Sequence, residues 1–182
     1  MAQRGGPTID LYLPPAPAAR SITIMLAECG LACAVQPPDA THTADLEPPL
    51  ATLSRDHGVP ALVDHETGVH VFDGGAILQY LGEKTGRFLP VDPDGRYAVL
   101  QWVYWQAGAD QADLAHLGVL DAILQQREHL AGDYSIADMA WLATVAGTAD
   151  HARTLQPFPG VHAWFERLRH RAGVRRGLDA RA

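Results

Sequence analysis

The sequence predicts an α/β domain followed by an all-α domain. Short apolar segments of the β type occur only in the first half of the chain, the last of them over residues 69–72. Within this half, residues 59–81 have the pattern of a strand, a turn, a second strand and a helix. After residue 89 the apolar positions recur only at helical spacing. We therefore expect one domain over residues 1–89 and a second over residues 90–182.

The composition indicates a compact, acidic protein. Of the 182 residues, 47% are hydrophobic, which is enough to bury a substantial core. A net charge of -7 argues against general binding to nucleic acid or to anionic membranes, because neutralising phosphates requires clustered Lys and Arg. The sequence has no run of about 18 apolar residues that would span a membrane. The two cysteines, Cys29 and Cys33, fit a reducing compartment, so we expect a cytoplasmic protein.

The first domain is predicted to begin with a strand and a helix. Apolar residues at positions 9, 11 and 13 alternate with Asp10 and Tyr12, which indicates the opening strand. After a proline-rich turn, one helix face is apolar, and Gly30 is placed to end that helix in the left-handed conformation. A short apolar segment over residues 31–35 and a weak helical signal over residues 50–55 follow.

A hairpin and a capped helix complete the first domain. Residues 61–64 and 69–72 are the two strands, and residues 65–68 form the turn between them. Asp73 is predicted to cap the next helix, because its carboxylate can accept the unpaired N–H groups of the first turn. The chain order of strand, helix, strand, weak helix, hairpin and helix is that of a thioredoxin-like domain.

The second domain is predicted to contain several amphipathic helices. An aromatic segment with Trp102, Tyr104 and Trp105 is followed by leucines at helical spacing over residues 114–124. Ser135 and Asp138 have the spacing of a capping box, in which each side chain satisfies a backbone N–H near the other. A last amphipathic helix carries apolar residues at positions 161, 164, 165 and 168.

Four of these segments together resemble the glutathione S-transferase superfamily, most of all its bacterial nu class and the related disulfide-bond oxidoreductases. They occupy residues 9–12, 59–89, 100–106 and 134–138. The resemblance implies a thioredoxin-like domain followed by a helical one, glutathione as co-substrate, and a small electrophile or disulfide as the second substrate. It also implies a homodimer. In such a protein Val59, Pro60, Asp73 and Gly74 would bind glutathione.

The chain departs from the family pattern at both ends of the expected glutathione site. Ala16-Pro17-Ala18 stands where the nu-like proteins have Thr-Pro-Asn, so no side chain there can donate a hydrogen bond to the thiolate. Arg20, Ser21 and the N–H groups of their helix are candidates to replace that function, and Tyr12 is another, with strand packing as its alternative.

The family's Glu-Ser pair is replaced by Asp73-Gly74. Asp keeps the negative charge, whereas Gly keeps a backbone N–H and loses the hydroxyl, so we expect weaker glutathione binding. The chain is also short for the family, and the sequence places the missing part in a helical hairpin that in relatives walls the electrophile site and adds to the dimer interface. Trp102, Tyr104 and Trp105 are then candidates to line a hydrophobic pocket, with packing between helices as the alternative.

We expect no metal site, because the acidic and histidine residues of the hairpin at positions 64, 65, 66 and 70 lack a supporting ligand motif. The leading hypothesis is a glutathione-transferase-like protein whose conjugating or disulfide-reducing activity is weakened or lost. A non-catalytic binding or assembly module with the same fold is one alternative. A specialised pathway enzyme with a rebuilt pocket is the other.

Overall fold

The structure is a computed structural model that describes residues 7–13, 19–36, 59–109, 112–148 and 151–180. Within these residues the chain forms four strands, with one helix between the first and the second, followed from residue 74 onward by helices alone. The strands are β1 Ile9–Tyr12, β2 Cys33–Gln36, β3 Ala61–Asp64 and β4 Val69–Phe72. The helices are α1 Arg20–Cys29, α2 Gly74–Thr85, α3 Pro93–Ala107, α4 Leu114–Leu124, α5 Ile136–Ala146, α6 His151–Thr154, α7 Pro159–Arg169 and α8 Ala172–Asp179.

The strands form one mixed sheet in the order β2-β1-β3-β4. β1 runs parallel to β2 with Ile9 opposite Cys33, and antiparallel to β3 with Leu11 opposite Leu62. β4 pairs antiparallel with β3 at the edge of the sheet. The side chains of a strand alternate between faces, so Leu11 and Leu62 join the main core on one face, whereas Tyr12, on the opposite face, belongs to a separate buried cluster.

Residue types at the helix ends explain where the helices begin and end. α1 ends at Gly30, whose φ of 69° is left-handed, as the sequence predicts. α2 begins after Asp73, and its carboxylate accepts hydrogen bonds from the first turn. α3 begins after Asp92 with Pro93 in its first position, where a missing N–H costs nothing. The sequence therefore contains the local signals for these boundaries.

Helix α5 runs through the centre of the helical half. All its residues from Ile136 to Val145 are buried, and the capping box predicted for Ser135 and Asp138 is present. The buried Asp138 carboxylate accepts the N–H of Ser135 at 3.1 Å and the indole N–H of Trp164 at 2.9 Å. A polar side chain in the core is tolerated here because its oxygens are hydrogen-bonded.

The last helix, α8, packs closely on α1. A Cβ atom added to Gly177 would lie 2.4 Å from the Cα of Ile24, so only glycine allows this approach. The hydroxyl of Thr23 donates to the carbonyl oxygen of Gly177 at 2.7 Å. At the other end of the contact, Arg171 donates to Glu28 with two nitrogens, at 2.9 and 3.2 Å. Helix α8 is thus fixed against α1.

The predicted fold class is confirmed, and the strands at 61–64 and 69–72 occur where the sequence places them. The second strand is observed over residues 33–36. The weak helical signal over residues 50–55 lies outside the described residues. Among the described helices, none is both long enough and apolar enough to cross a membrane.

Candidate functional site

The N-terminal end of α2 meets the segment before β3. The backbone N–H of Asp73 donates to the carbonyl oxygen of Pro60 at 3.0 Å, which brings two of the predicted glutathione-binding positions together. Asp73 has a φ of 77°, a conformation that residues with a side chain rarely adopt. Such strain concentrates at ligand sites, where the surrounding structure maintains it. Val59 and Pro60 are half-buried beside this point.

The Asp73 carboxylate caps its own helix. Its Oδ1 atom accepts the N–H of Gly75 at 2.9 Å and that of Ala76 at 3.1 Å. Gly74 is the first residue of α2, and a Cβ atom added to it would meet nothing within 4 Å. There is therefore open space where a serine side chain would stand.

Gly75 is in a different environment. A Cβ atom added there would lie 3.2 Å from Cγ1 of Val103 and 3.3 Å from Oδ1 of Asp73. Helix α3 therefore faces the N-terminal end of α2 with Val103, a residue that the sequence does not single out. The spacing of apolar residues in α3 could have shown that Val103 is buried, but it could not have shown that Val103 contacts the first turn of α2.

The N-terminal end of α1 carries no carboxylate. Its N-cap is Ala19, no side chain caps it, and its first turn has no acidic residue. Within the first turn of α1, therefore, no acidic side chain meets the positive end of the helix dipole. Arg20 is exposed at this end and Ser21 is 4% exposed. Residues 16–18, where the sequence lacks the family's thiolate donors, lie outside the described residues.

Tyr12 is a packed strand residue. It is 3% exposed and clusters with Ala61 and Val63 on the face of the sheet opposite Leu11. It pairs with Ala61 across the sheet.

The three aromatic candidates of α3 point in two directions. Trp102 and Trp105 pack edge to face, with ring centroids 5.5 Å apart, and Trp105 also contacts Trp141 of α5 at 4.8 Å. With Gln101 and Val119 they line a cavity of about 250 Å³. Tyr104 is 58% exposed, and its hydroxyl donates to Gln79 of α2 at 2.8 Å.

The α3 cavity faces away from the end of α2. Trp105 is two residues beyond Val103, or about 200° around the helix. A larger cavity, of about 550 Å³, lies between residues 86–99 and the loop over residues 131–135. This larger cavity lies near the C-terminal end of α2, whereas Asp73 lies at the N-terminal end. The two ends are about 18 Å apart, because the helix has 12 residues. Neither cavity adjoins Asp73.

A buried carboxylate supports the hairpin behind the site. Asp64 is 0% exposed; its Oδ2 atom accepts the Tyr80 hydroxyl at 2.7 Å and lies 2.8 Å from Nζ of Lys84. Burial alone would raise the pKa of Asp64, but hydrogen bonds from Lys84, Tyr80 and the Glu66 N–H lower it to about 2. The hydrogen bonds that Lys84 donates to the carboxylates of Asp64 and Glu66 raise the pKa of Lys84. The sequence does not predict that Asp64 pairs with Lys84. The signal that could have indicated a buried ion pair is a charged residue, Asp64, at the end of an apolar strand.

The described residues show no group of three or more His, Cys, Asp or Glu side chains that could hold a metal ion. The hairpin residues instead pair separately, His65 with Asp10 at 2.7 Å and Glu66 with Lys84 at 2.8 Å. Cys29 is half-buried, and burial raises the pKa of its thiol, which keeps it protonated at neutral pH.

Comparison with known proteins decides the family. Residues 7–83 match the model of the glutathione S-transferase N-terminal domain. Over 204 aligned positions the chain is 31% identical to the disulfide-bond oxidoreductase YfcG of Escherichia coli (strain K12), covering 93% of this chain and 94% of the relative. This chain belongs to the glutathione S-transferase family. The alignment is longer than the 182 residues of this transferase-family member, so YfcG has residues without a counterpart here.

Solved glutathione transferases share the architecture. A glutathione transferase YghU from Streptococcus pneumoniae, complexed with glutathione, matches with a TM-score of 0.80 and 28% identity, covering 100% of this chain and 86% of that one. A glutathione transferase from Pseudomonas putida, with one glutathione disulfide bound per subunit, gives a TM-score of 0.78 at 28% identity and covers 100% and 94% of the two chains. The present family member thus has a thioredoxin-like domain followed by a helical domain.

Proposed function

We propose that this protein binds glutathione and catalyses thiol–disulfide exchange. In this proposal its activity in ordinary glutathione conjugation is weakened or lost. The observation that carries the proposal is the hydrogen bond from Asp73 N–H to the Pro60 carbonyl, because it holds the two binding segments in one geometry. YfcG is named as a disulfide-bond oxidoreductase, and the Pseudomonas putida protein was crystallised with glutathione disulfide. The name of the first protein and the ligand bound to the second both support the exchange reaction.

In this proposal the γ-glutamyl end of glutathione lies at Asp73 and Gly74. The Asp73 carboxylate attracts the ligand ammonium group, and the Gly74 N–H donates to the ligand carboxylate. The rest of the peptide lies along the backbone of Val59 and Pro60. Because Gly74 has no hydroxyl, one hydrogen bond to a charged group is lost, which costs about 1.5–3 kcal/mol, or roughly tenfold to a hundredfold in affinity.

The thiol would lie at the N-terminal end of α1, near Arg20 and Ser21. The uncapped helix end and the Arg20 cation favour the thiolate. The thiolate attacks one sulfur of a disulfide and forms a mixed disulfide, while the other sulfur leaves as a thiolate and takes a proton from water. A second glutathione thiolate then releases the remaining thiol and forms glutathione disulfide. The substrate would be a small disulfide, and no metal takes part.

We also propose a cytoplasmic homodimer. Tyr97 and Tyr104 are 69% and 58% exposed and, seven residues apart, lie on one face of α3. Exposed aromatic residues on one helix face are typical of an interface. Sedimentation at micromolar concentration tests the dimer, and a monomer would contradict it.

The test of function combines binding with turnover. Because a ligand that binds only the folded state raises the melting temperature, we expect millimolar glutathione to stabilise the protein. We expect exchange with a small symmetric disulfide to exceed conjugation of a chromogenic electrophile. Gly74→Ser should raise glutathione affinity by about tenfold or more, since it restores one hydrogen bond. If glutathione stabilises neither the unmodified protein nor Gly74→Ser, the result would favour the non-catalytic module instead.

A further inference from the structure

The cavity of about 550 Å³ lies apart from the proposed glutathione site and has no part in the proposed reaction. One of its walls is the connection between α2 and α3, together with the first turns of α3, and the other is the loop over residues 131–135. Cavities that bind small molecules have volumes of about 300–1,000 Å³, so this one has room for a ligand.

The wall formed by the connection is held in a strained conformation. Phe88 has a φ of 62°, and among the described residues only Asp73 and Phe88 combine a side chain with a left-handed backbone. The Phe88 carbonyl oxygen accepts the N–H of Ile136 at 3.0 Å, which joins the connection to the first turn of α5. Strain of this kind concentrates at ligand sites, where the surrounding structure maintains it. The two walls of the cavity are therefore fixed relative to each other.

Two aromatic rings form the centre of the apolar surface of the cavity. Phe88 and Tyr134, one from each wall, pack edge to face with ring centroids 5.5 Å apart. Leu89, Val99 and Ala131 add aliphatic surface. Small-molecule sites are typically lined in this way, by apolar and aromatic side chains with a few polar groups that fix the orientation of the ligand.

The charged groups of the lining are acidic. Asp92 and Asp133 both line the cavity and are exposed, and the described lining residues include no Lys, Arg or His. Oδ1 of Asp92 accepts the N–H of Gly95 at 2.8 Å. Asp133 forms no hydrogen bond or ion pair with any described residue, so its carboxylate is available to a ligand.

Two arginines lie beside the aromatic rings without lining the cavity. The guanidinium carbon of Arg87 is 4.7 Å from the ring centroid of Phe88, and that of Arg171 is 3.9 Å from the ring centroid of Tyr134. Arg171 is paired with Glu28 by two hydrogen bonds, which balances its charge. Arg87 is exposed, so solvent and salt screen its charge. The charges that a ligand meets in the cavity are therefore those of the two carboxylates.

We propose that this cavity is a second binding site, which takes small amphipathic amines. The apolar body of the ligand contacts Phe88 and Tyr134, and its ammonium group is attracted by the carboxylates of Asp92 and Asp133. The net charge of -7 on the whole chain favours the approach of a cation, whereas an organic anion would meet like charges. The site is separate from that of glutathione, so the inference goes beyond the proposed function and does not depend on it.

The experiment is a calorimetric titration of the full chain at neutral pH with three naphthalene probes of similar size. They are 1-naphthylmethylamine, which is protonated, 1-naphthylmethanol, which is neutral, and 1-naphthoate, which is negatively charged. We expect the amine to bind about tenfold more tightly than the alcohol, because two exposed carboxylates each add a modest attraction, and the naphthoate to bind most weakly. Asp133→Asn should weaken binding of the amine by about threefold and leave binding of the alcohol unchanged.

Asp94→Asn is the matched control, because Asp94 is an exposed carboxylate in the first turn of α3 that does not line the cavity. It removes the same charge and should leave both affinities unchanged. Ala131→Leu adds side-chain volume to the lining and should weaken binding of the amine and the alcohol by tenfold or more. Melting curves should show that each variant is folded.

Binding of the amine no tighter than that of the alcohol, or equal effects of Asp133→Asn and Asp94→Asn, would overturn the inference. A tenfold loss of amine affinity in millimolar glutathione would also overturn it, because the amine would then occupy the glutathione site. Failure of the protein to bind glutathione would overturn the proposed function and leave this inference standing.

Discussion

Lys84 forms an ion pair with the fully buried carboxylate of Asp64, with Nζ 2.8 Å from Oδ2. The pair joins the last turn of α2 to the end of β3, while the first turn of the same helix is joined to Pro60 through Asp73. One end of α2 is therefore fixed to the end of β3, and the other end is fixed to the Val59-Pro60 segment that precedes this strand. These two connections hold the N-terminal end of α2 in a fixed position relative to the Val59-Pro60 segment.

The Asp64 pair makes stability depend on acid pH. The pKa of Asp64 is about 2 in the folded protein and near 3.9 in an unfolded chain, so its contribution is present above about pH 4 and is lost as the pH falls toward 2. We expect this single group to account for about 2 kcal/mol of the free energy of unfolding. Urea unfolding at several pH values should show a shallower acid dependence for Asp64→Asn.

The control is Asp94→Asn, which changes an acidic residue in the exposed first turn of α3. It should leave the slope below pH 4 as it is in the unmodified protein. An unchanged slope in Asp64→Asn would show that Asp64 keeps its ordinary pKa. Lys84→Met should also destabilise the protein at pH 7, by about 3 kcal/mol, because it leaves a buried charge unpaired.

The contact between α8 and α1 predicts a large effect from one methyl group. In Gly177→Ala the new Cβ would overlap the backbone of Ile24, so the helices must separate, at a cost of about 2–3 kcal/mol. For a chain of this size that lowers the melting temperature by roughly 4–12 °C. Gly118→Ala is the matched control, since a Cβ there meets nothing within 4 Å and should be neutral or stabilising. Equal melting temperatures for the two variants would contradict the packing.

Local signals account for most of the fold that could be predicted. Gly30 and Asp73 mark helix ends by their own chemistry, and both act as expected. Contacts between distant parts of the chain could not be predicted, because periodicity identifies a buried face without naming its neighbour. The approach of Gly177 to Ile24 and that of Val103 to Gly75 are of this kind.

The same limit applies to the site. The resemblance assigns Pro60 and Asp73 to one site, and the structure joins them by a backbone hydrogen bond. The resemblance and the shortened hairpin make the aromatic residues of α3 candidates for a pocket wall, but the sequence cannot separate a pocket wall from a face that packs between helices. Trp105 contacts Trp141, whereas Tyr104 contacts Gln79 on another side of α3.

Substitution of Trp105 is expected to lower the stability of the fold without changing the affinity for glutathione. Its ring packs against Trp141 and His116, with centroids 4.8 and 5.1 Å away, so Trp105→Leu should cost about 2–3 kcal/mol of unfolding free energy. Glutathione affinity should change by less than about twofold, well under 1 kcal/mol, because Val103 and not Trp105 faces the end of α2. Tyr104→Phe removes an exposed hydrogen bond and should alter neither quantity. A tenfold loss of affinity in Trp105→Leu would place the ligand against the tryptophans.

Two adjacent glycines at the start of α2 should respond in opposite ways to the same substitution. In Gly74→Ala the methyl group enters open space, and the variant should gain about 0.4–1 kcal/mol because alanine has less freedom to lose on folding. In Gly75→Ala the methyl group would press on Cγ1 of Val103, which is fully buried, and on the Asp73 oxygen that caps the helix. We expect a loss of about 1 kcal/mol or more, and weaker glutathione binding as the cap shifts.

A double-mutant cycle identifies the cause of that loss. Val103→Ala removes the methyl groups that Gly75→Ala would meet, so the two changes together should cost less than the sum of their separate costs, by about 0.5–1 kcal/mol. Pairing Gly75→Ala with Leu130→Ala, a buried residue of the α4–α5 connection, supplies the additive reference. Additive costs in the Val103 pair, measured by urea unfolding, would mean that α3 does not contact the first turn of α2. The geometry that holds Asp73 against Pro60 would then have to come from the hairpin alone.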